Sequence, residues 1–214
     1  MLTVHAAPLV LPVGAAALVD GAVAVDGDRI VAVGPYEDVL AARPGARVRR
    51  WPGVITPGLR QWNGRWLLTR VYHPDPREAD ELGTEPITGE AFDALELDAA
   101  RMAGSVRRGL QRMLAHGTTA VAGSFPDTVR SAVDRSGLTV VAAVGAPGFL
   151  FSGPNLDPLV AGLDLAGSVH APLTVGGRAD LAAFDVADET ALLERGAGTC
   201  VATVLGGRLV HRRR

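Results

Sequence analysis

The chain has 214 residues, with 21 arginines, no lysine, 23 acidic residues and a net charge of -2. The single cysteine, Cys200, excludes an internal disulfide and a zinc site built from several thiolates. The absence of lysine excludes a Schiff base, a P-loop and a carbamylated-lysine metal bridge. The nearly balanced charge argues against a nucleic-acid-binding protein.

Apolar residues make up 48% of the sequence, which is enough for a sizeable core. No apolar run reaches the roughly 18 residues of a membrane helix. The first residues lack the basic and cleavable features of a secretory peptide. We therefore expect a cytoplasmic protein that does not enter a membrane.

The first 56 residues have the pattern of short strands separated by turns. Asp26-Gly27-Asp28 lies between two apolar runs, which is typical of a β-hairpin. Residues 36–42 predict two helical turns that end at Pro44-Gly45. Alternating side chains at 47–51 and an apolar run at 54–56 predict two further strands. This part of the chain is expected to form a small antiparallel sheet.

The middle of the chain has a different pattern. Residues 60–87 are expected to be irregular, and residues 90–115 predict a long amphipathic helix with Thr88 as N-cap and Gly117 as its stop. Its apolar face repeats at steps of three or four through Leu95, Ala99, Met102, Val106, Leu110 and Met113. Continuous apolar strands at 118–122 and 138–144 flank a second helix at 127–135. This alternation predicts parallel βα units.

The end of the chain returns to short strands, at residues 181–184, 200–205 and 209–211. Cys200 falls within one of them, so we expect a buried packing thiol and not a nucleophile. Two β-rich ends therefore bracket an α/β middle.

Five segments stand out in their order along the chain, namely residues 20–34, 54–59, 114–121, 177–185 and 206–210. In this order they resemble segments of the metal-dependent amidohydrolases, and most of all of imidazolonepropionase and aminodeoxyfutalosine deaminase. The resemblance implies that both ends combine into one β-sandwich, with a barrel inserted between them. A complete (β/α)8 barrel takes roughly 200 residues or more, and the insert here is about half as long.

The expected fold is therefore α/β with β-rich ends. A composite β-sandwich is formed by residues 1–57 and 169–214, and residues 58–168 form a truncated (β/α) barrel-like layer. Such a layer has open parallel-sheet edges, which proteins normally cover. We expect a homodimer or a hetero-complex for that reason.

The resemblance implies a zinc or iron ion that makes hydroxide from water. It also implies a His-x-His pair just after Pro-Gly-Leu, where this chain has Asn63 and Arg65. Arginine has no lone pair to offer and brings a positive charge. Histidines implied for later strands are missing, since none lies between Gly117 and Val169. We therefore predict no catalytic residue, no metal ligand and no cofactor.

An aspartate is the last ligand that the resemblance implies. Its position falls near Gly148 or Phe149, where the sequence is apolar, and Asp157 lies beyond it. The missing lysine excludes the carbamate-bridged variant.

The five histidines do not rebuild the site. His116 is expected to be structural in a turn, and His73 lies in a proline-rich stretch with Glu78 and Asp80 close behind. A new metal site at His73 and a solvated loop are the two alternatives there. The other three are expected near the surface of the sandwich: His5, His170 and His211.

Charge is strongly separated along the chain. Residues 43–70 contain seven arginines and no acid, and residues 75–98 contain nine acids and one arginine. We expect the two stretches to neutralise each other. The alternative is a pocket for a small anionic or heterocyclic ligand, in which arginines bind charge and tryptophans stack. Its candidate residues are Arg60, Trp62, Asn63, Arg65, Trp66 and Arg70.

Three functions follow as hypotheses. The first is an imidazolonepropionase-like protein without metal-dependent hydrolysis, which acts as a binding or accessory protein. The second is a hydrolase or deaminase acting on non-peptide C–N bonds of a cyclic amide or amidine, with a displaced or partner-completed site. The third is a structural module formed by the sandwich alone. Fold resemblance by itself establishes no activity.

Overall fold

The computed structural model describes residues 1–144, 153–159 and 163–213. The strands are β1 Thr3–Val10, β2 Leu18–Asp26, β3 Arg29–Pro35, β4 Arg47–Arg50, β5 Val54–Pro57, β6 Leu59–Gln61, β7 Val71–Tyr72, β8 Ile87–Thr88, β9 Thr118–Ala122, β10 Thr139–Val141, β11 Leu181–Phe184, β12 Cys200–Leu205 and β13 Arg208–Arg212. The helices are α1 Tyr36–Ala41, α2 Gly64–Thr69, α3 Ala79–Leu82, α4 Gly89–Asp93, α5 Ala99–Ala115, α6 Asp127–Ser136, α7 Leu165–Ser168 and α8 Glu189–Arg195. Short 3₁₀ turns lie at Pro76–Glu78 and Ala197–Thr199.

The chain divides into two compact units. The terminal unit comprises Met1–Arg60, Leu114–Thr119 and Asp157–Arg214. The middle unit comprises Gln61–Met113 and Ala120–Leu156. The predicted domain limits, with a break after residue 57 and another before residue 169, stay a prediction.

The terminal unit contains one eight-stranded mixed sheet built from both ends of the chain. Its order is β13-β12-β11-β5-β1-β2-β3, with β4 beside β1. Strand β1 pairs antiparallel with β2 and parallel with both β4 and β5. Strand β5 pairs antiparallel with β11, which joins the two ends of the chain. The composite origin of the sheet is confirmed. The expected all-antiparallel start is wrong, because α1 and the turn after it return the chain alongside β1.

The core of the sheet shows how the two ends depend on each other. Val25 and Ile55 from the first segment pack in one cluster with Leu181 and Val204 from the last. All four side chains are at most 1% exposed. Burying apolar area stabilises by about 25 cal/mol per Å². Each end therefore buries apolar side chains against the other.

The middle unit carries the βα pattern. Strands β9 and β10 are parallel, with Ala120 opposite Thr139, and α6 connects them. The described strands of the segment form the sheet β10-β9-β6 and the pair β7-β8, and they do not close into a barrel. The predicted α/β fold with a truncated barrel-like layer is confirmed. Among the described helices, none is long and apolar enough to cross a membrane.

Three sequence predictions for residues 60–115 are wrong. The long helix predicted over 90–115 is interrupted, because α5 begins only at Ala99. The Asp98 carboxylate accepts from the Arg101 N–H at 2.7 Å, which caps the new start. Thr88 precedes α4, but its side chain makes no capping hydrogen bond. The stretch expected to be irregular, 60–87, contains β6, α2, β7, α3 and the start of β8.

Candidate functional site

The predicted ligand segment runs from the end of β6 into α2. Arg60 is half-buried, and its guanidinium donates to the Gly167 carbonyl at 2.9 Å within the terminal unit. Burial lowers the pKa of Arg60. Gln61 is fully buried, donates to the Leu156 carbonyl at 3.1 Å and accepts from the Asn63 N–H at 3.1 Å. Gln61 therefore fixes the turn into α2.

Asn63 and Arg65 lie at the start of a helix and not on a strand. Asn63 is the N-cap residue of α2, which begins at Gly64. Residues two positions apart on a strand face the same side, whereas on a helix they do not face each other. Arg65 is exposed, and its guanidinium donates to the Ser124 hydroxyl at 2.9 Å. The two side chains therefore do not reproduce a converging pair of imidazoles.

The remaining predicted ligand residues lie just before, within and at the end of the same short helix. Trp62 and Trp66 are half-buried, and Arg70 is exposed at the C-terminal end of α2. Arg60 belongs to the terminal unit, and the other five belong to the middle unit. A ligand pocket at these residues stays a prediction.

The residues present do not fit the metal centre of the resemblance. Arg65 offers no lone pair, and Asn63 offers one amide oxygen at most. Asp157 is engaged elsewhere, since its carboxylate accepts from the N–H groups of Leu159 and Ala197, each at 2.8 Å. Within the described ranges, no group of three or more His, Cys, Asp or Glu side chains could hold a metal ion. Gly148 and Phe149 lie outside the described residues.

His73 is the buried centre of a polar cluster in the middle unit. Its ring Nε2 lies 3.0 Å from the Leu67 carbonyl, and its backbone N–H donates to the Ser105 hydroxyl at 2.8 Å. Because a carbonyl only accepts, the ring proton sits on Nε2. Arg108 donates to the His73 carbonyl at 2.8 Å. Burial lowers the pKa of His73 to about 4, so the imidazole is neutral at neutral pH. The expected solvated loop is wrong at this residue.

Glu78 ties the rest of the cluster together. Its carboxylate accepts from the Tyr72 hydroxyl at 2.6 Å, from the Asp75 N–H at 2.9 Å and from Arg101 at 2.9 Å. These contacts, led by the Tyr72 hydroxyl, lower the pKa of Glu78 to about 2. Both oxygens are occupied by protein donors. The cluster therefore holds the fold together and presents no open carboxylate to a metal.

The ion pairs correct the prediction about charge. In the described chain the paired acids of residues 75–98 are Asp75, bound to Arg108 at 3.0 Å, and Glu78, bound to Arg101 at 2.9 Å. Both arginines belong to α5 and not to the arginine-rich stretch 43–70. The prediction of mutual neutralisation between the two stretches is therefore wrong for these acids.

Sequence reasoning missed Ser105 and Gly109, which make room for His73. They lie four positions apart on the buried face of α5, where helical neighbours share one side. A Cβ built on Gly109 would lie 2.7 Å from His73 Nε2. Two small residues interrupting the apolar face of a helix were the signal that another side chain packs there.

Other predicted residues are placed as follows. Cys200 is fully buried, its thiol contacts the Ala202 carbonyl at 3.4 Å, and burial raises its pKa, so a packing role is confirmed.

His170 is exposed and His211 half-buried. His5 is only 2% exposed, so its predicted surface position is wrong. Its imidazole accepts a hydrogen bond from Trp51 at 3.1 Å.

Comparison with solved structures gives the following matches. An adenosine deaminase from Xanthomonas campestris has 22% identity and a TM-score of 0.47, over 65% of this chain and 33% of that chain. Guanine deaminase from E. coli has 14% identity and a TM-score of 0.49, over 66% and 36%. Aminofutalosine deaminase from Helicobacter pylori has 15% identity and a TM-score of 0.43, over 66% and 33%. The chain thus spans about a third of the length of these proteins.

Comparison with protein families gives a match at the opening of the sheet. No curated protein sequence matches the chain. Residues 21–46, which run from β2 through α1, match the bacterial imidazolonepropionase-like composite domain. The resemblance inferred from the hairpin at Asp26-Gly27-Asp28 is confirmed there: this segment of the chain is similar to the imidazolonepropionase-like composite domain.

Proposed function

We propose that the chain is an amidohydrolase-like protein that does not carry out metal-dependent hydrolysis and acts as a binding or accessory protein. The observation that carries the proposal is Arg65, which takes the second position of the implied His-x-His pair. Its guanidinium is fixed by Ser124 at 2.9 Å. A cation at that position repels a divalent metal and supplies no electron pair.

The polar cluster around His73 supports the same proposal. A displaced metal site would need an imidazole together with open carboxylates. His73 donates to Leu67 through one ring nitrogen, and the neighbouring Glu78 is occupied by Tyr72 and Arg101. The acids closest to His73 in sequence therefore serve hydrogen bonds inside the protein.

A second candidate function is hydrolysis or deamination of non-peptide C–N bonds, with a site completed by a partner chain. The match of residues 21–46 to the imidazolonepropionase-like composite domain favours it. On this alternative the terminal unit contributes the composite domain, and a partner contributes the missing ligands. The third alternative, a purely structural module, predicts that residues 60–86 can be deleted without loss of folding.

The test is a hydrolysis assay on the purified chain with cyclic amides, cyclic amidines and aminopurines, with zinc or iron added and with a chelator. We expect no turnover that depends on metal. Turnover that a chelator abolishes and zinc restores would contradict the proposal. In that case, loss of turnover in His73→Gln but not in His170→Gln would locate the site at the buried cluster.

A further inference from the structure

The terminal unit contains a cavity of about 570 Å³ that the proposed function does not use. Its lining includes Thr3 and His5 from β1, Arg49 from β4, and Arg208 from β13. Asp28, in the turn between β2 and β3, also lines it. Cavities of roughly 300–1,000 Å³ are the usual size for small-molecule sites. The volume therefore suits a ligand of metabolite size.

His5 gives the cavity a neutral hydrogen-bond donor. The Trp51 indole N–H donates to His5 Nδ1 at 3.1 Å, and the two rings stack at 11° with centroids 6.1 Å apart. An indole N–H can only donate, so His5 Nδ1 is unprotonated and the ring proton sits on Nε2. Burial, followed by the charge of Arg49, lowers the pKa of His5 to about 4. At neutral pH the ring therefore offers one N–H group and no second acceptor.

Arg49 and Arg208, the two arginines that line the cavity, have no carboxylate partner among the described residues. Arg47 and Arg212 are close enough to Arg49 for their charges, after burial, to lower its pKa. In the part of the chain that the structure describes, no ion pair includes Arg47, Arg49, Arg208 or Arg212. The carboxylate of Asp28 lies 3.6 Å from Arg29. Like charges held together in this way are stabilised when an anion binds between them.

Guanidinium groups are matched in shape to one class of ligand. Their planar fork donates two parallel hydrogen bonds to a phosphate or a carboxylate. Arg49 is half-buried, which strengthens such bonds, and Arg208 is exposed. Thr3 is buried to 8% exposure and adds a hydroxyl to the same wall.

We propose that this cavity binds a small molecule carrying a phosphate or carboxylate group, held by Arg49 and Arg208 with Thr3 and His5 as neutral donors. The inference does not depend on whether the chain hydrolyses C–N bonds. The proposed site uses residues other than those of the ligand pocket predicted at residues 60–70, and that pocket stays a separate prediction.

The test is calorimetric titration of the full chain with inorganic phosphate and, separately, with succinate, at constant ionic strength. The two arms separate a phosphate ligand from a carboxylate ligand. Arg49→Gln and Arg208→Gln are the cavity variants. Arg50→Gln is the matched control, because it removes the same charge from the neighbouring residue of β4. The Arg50 guanidinium lies over the Tyr36 ring, 4.0 Å from its centroid, and does not line the cavity.

We expect saturable binding of at least one of the two anions. Loss of one charge-assisted contact should weaken it about tenfold in either cavity variant and leave Arg50→Gln close to the unaltered chain. Arg208→Gln keeps the test decisive if Arg49→Gln unfolds, since Arg208 is exposed. No saturable binding of either anion, or equal weakening in Arg50→Gln, would overturn the proposal. Tight binding of an oligonucleotide without binding of phosphate or succinate would overturn it in favour of a polyanion surface.

Discussion

His5 and His73 are both at most 2% exposed, and both make a hydrogen bond through one ring nitrogen, with Trp51 and Leu67 respectively. From the sequence, His5 was predicted to lie at the surface. For His73 the two alternatives were a metal site and a solvated loop. The partner of His5 lies 46 residues away along the chain. A local pattern cannot predict such a pairing, because it depends on which strand returns beside β1.

The two buried imidazoles make stability depend on pH. Their folded pKa values are about 4, below the ordinary value of 6.5. Below pH 6.5 these two histidines bind protons in the unfolded chain but stay neutral in the folded chain. The free energy of unfolding therefore falls as pH drops from 6.5 towards 4. We expect each histidine to contribute about 1–3 kcal/mol to this loss. Urea unfolding between pH 7 and pH 5 measures the slope.

Matched variants separate these histidines from other titrating groups. His5→Gln and His73→Gln should each reduce the slope, whereas His170→Gln, which alters an exposed histidine, should leave it unchanged. The slope is compared and not the absolute stability, since removing a buried imidazole destabilises the fold in its own right. An identical slope in all three variants would show that neither imidazole is held neutral.

At the level of elements, the predictions that rest on strong local signals are confirmed. The hairpin at Asp26-Gly27-Asp28, the helix predicted over 127–135 and the strands predicted at 200–205 and 209–211 agree with the structure. The start of α5 was missed, because the apolar repeat continues through Leu95 while the Asp98 cap lies inside it. The parallel pairing of β1 with β4 and β5 was missed, because no short turn motif in the sequence identifies the partners of a parallel strand.

Helix α5 offers a pair of glycine variants for testing how closely His73 packs. A Cβ on Gly109 would lie 2.7 Å from the buried ring, whereas a Cβ on Gly104 would lie 3.1 Å from the end of the longer, partly exposed Arg108 side chain. We expect Gly109→Ala to lower the free energy of unfolding by about 1–3 kcal/mol through overpacking. Gly104→Ala should be neutral or stabilise by up to about 1 kcal/mol through helix propensity.

Denaturant unfolding of the two alanine variants is the measurement. Both substitutions place the same methyl group on the same helix, so the difference between them reports the packing of His73. Equal stability of the two variants would contradict the close contact between α5 and the imidazole.

At the scale of the whole molecule, the fold follows from joining two distant ends of one chain. Val25 and Ile55 share a core with Leu181 and Val204, and the segment between them forms a short α/β layer. The sequence predicted this organisation through five ordered resemblances. It could not predict whether the arginine-rich stretch binds a ligand, because the positions of Arg49 and Arg208 become neighbours only through the sheet.

The described sheet β10-β9-β6 has β10 and β6 at its edges, and open edges are normally covered. We expect the chain to form at least a dimer, or to pair with another protein. Light scattering at micromolar concentration tests this expectation. A mass of twice 22.2 kDa or more agrees with self-association, and a single species at the monomer mass contradicts it.

The absence of metal-dependent hydrolysis is the central claim, and zinc uptake tests it most directly. The purified chain and His73→Gln are dialysed against zinc, washed, and their metal content is measured. We predict far less than one equivalent of retained zinc in both proteins, since Arg65 occupies a position that the resemblance assigns to a ligand. One full equivalent of zinc held by the unaltered chain would contradict the claim.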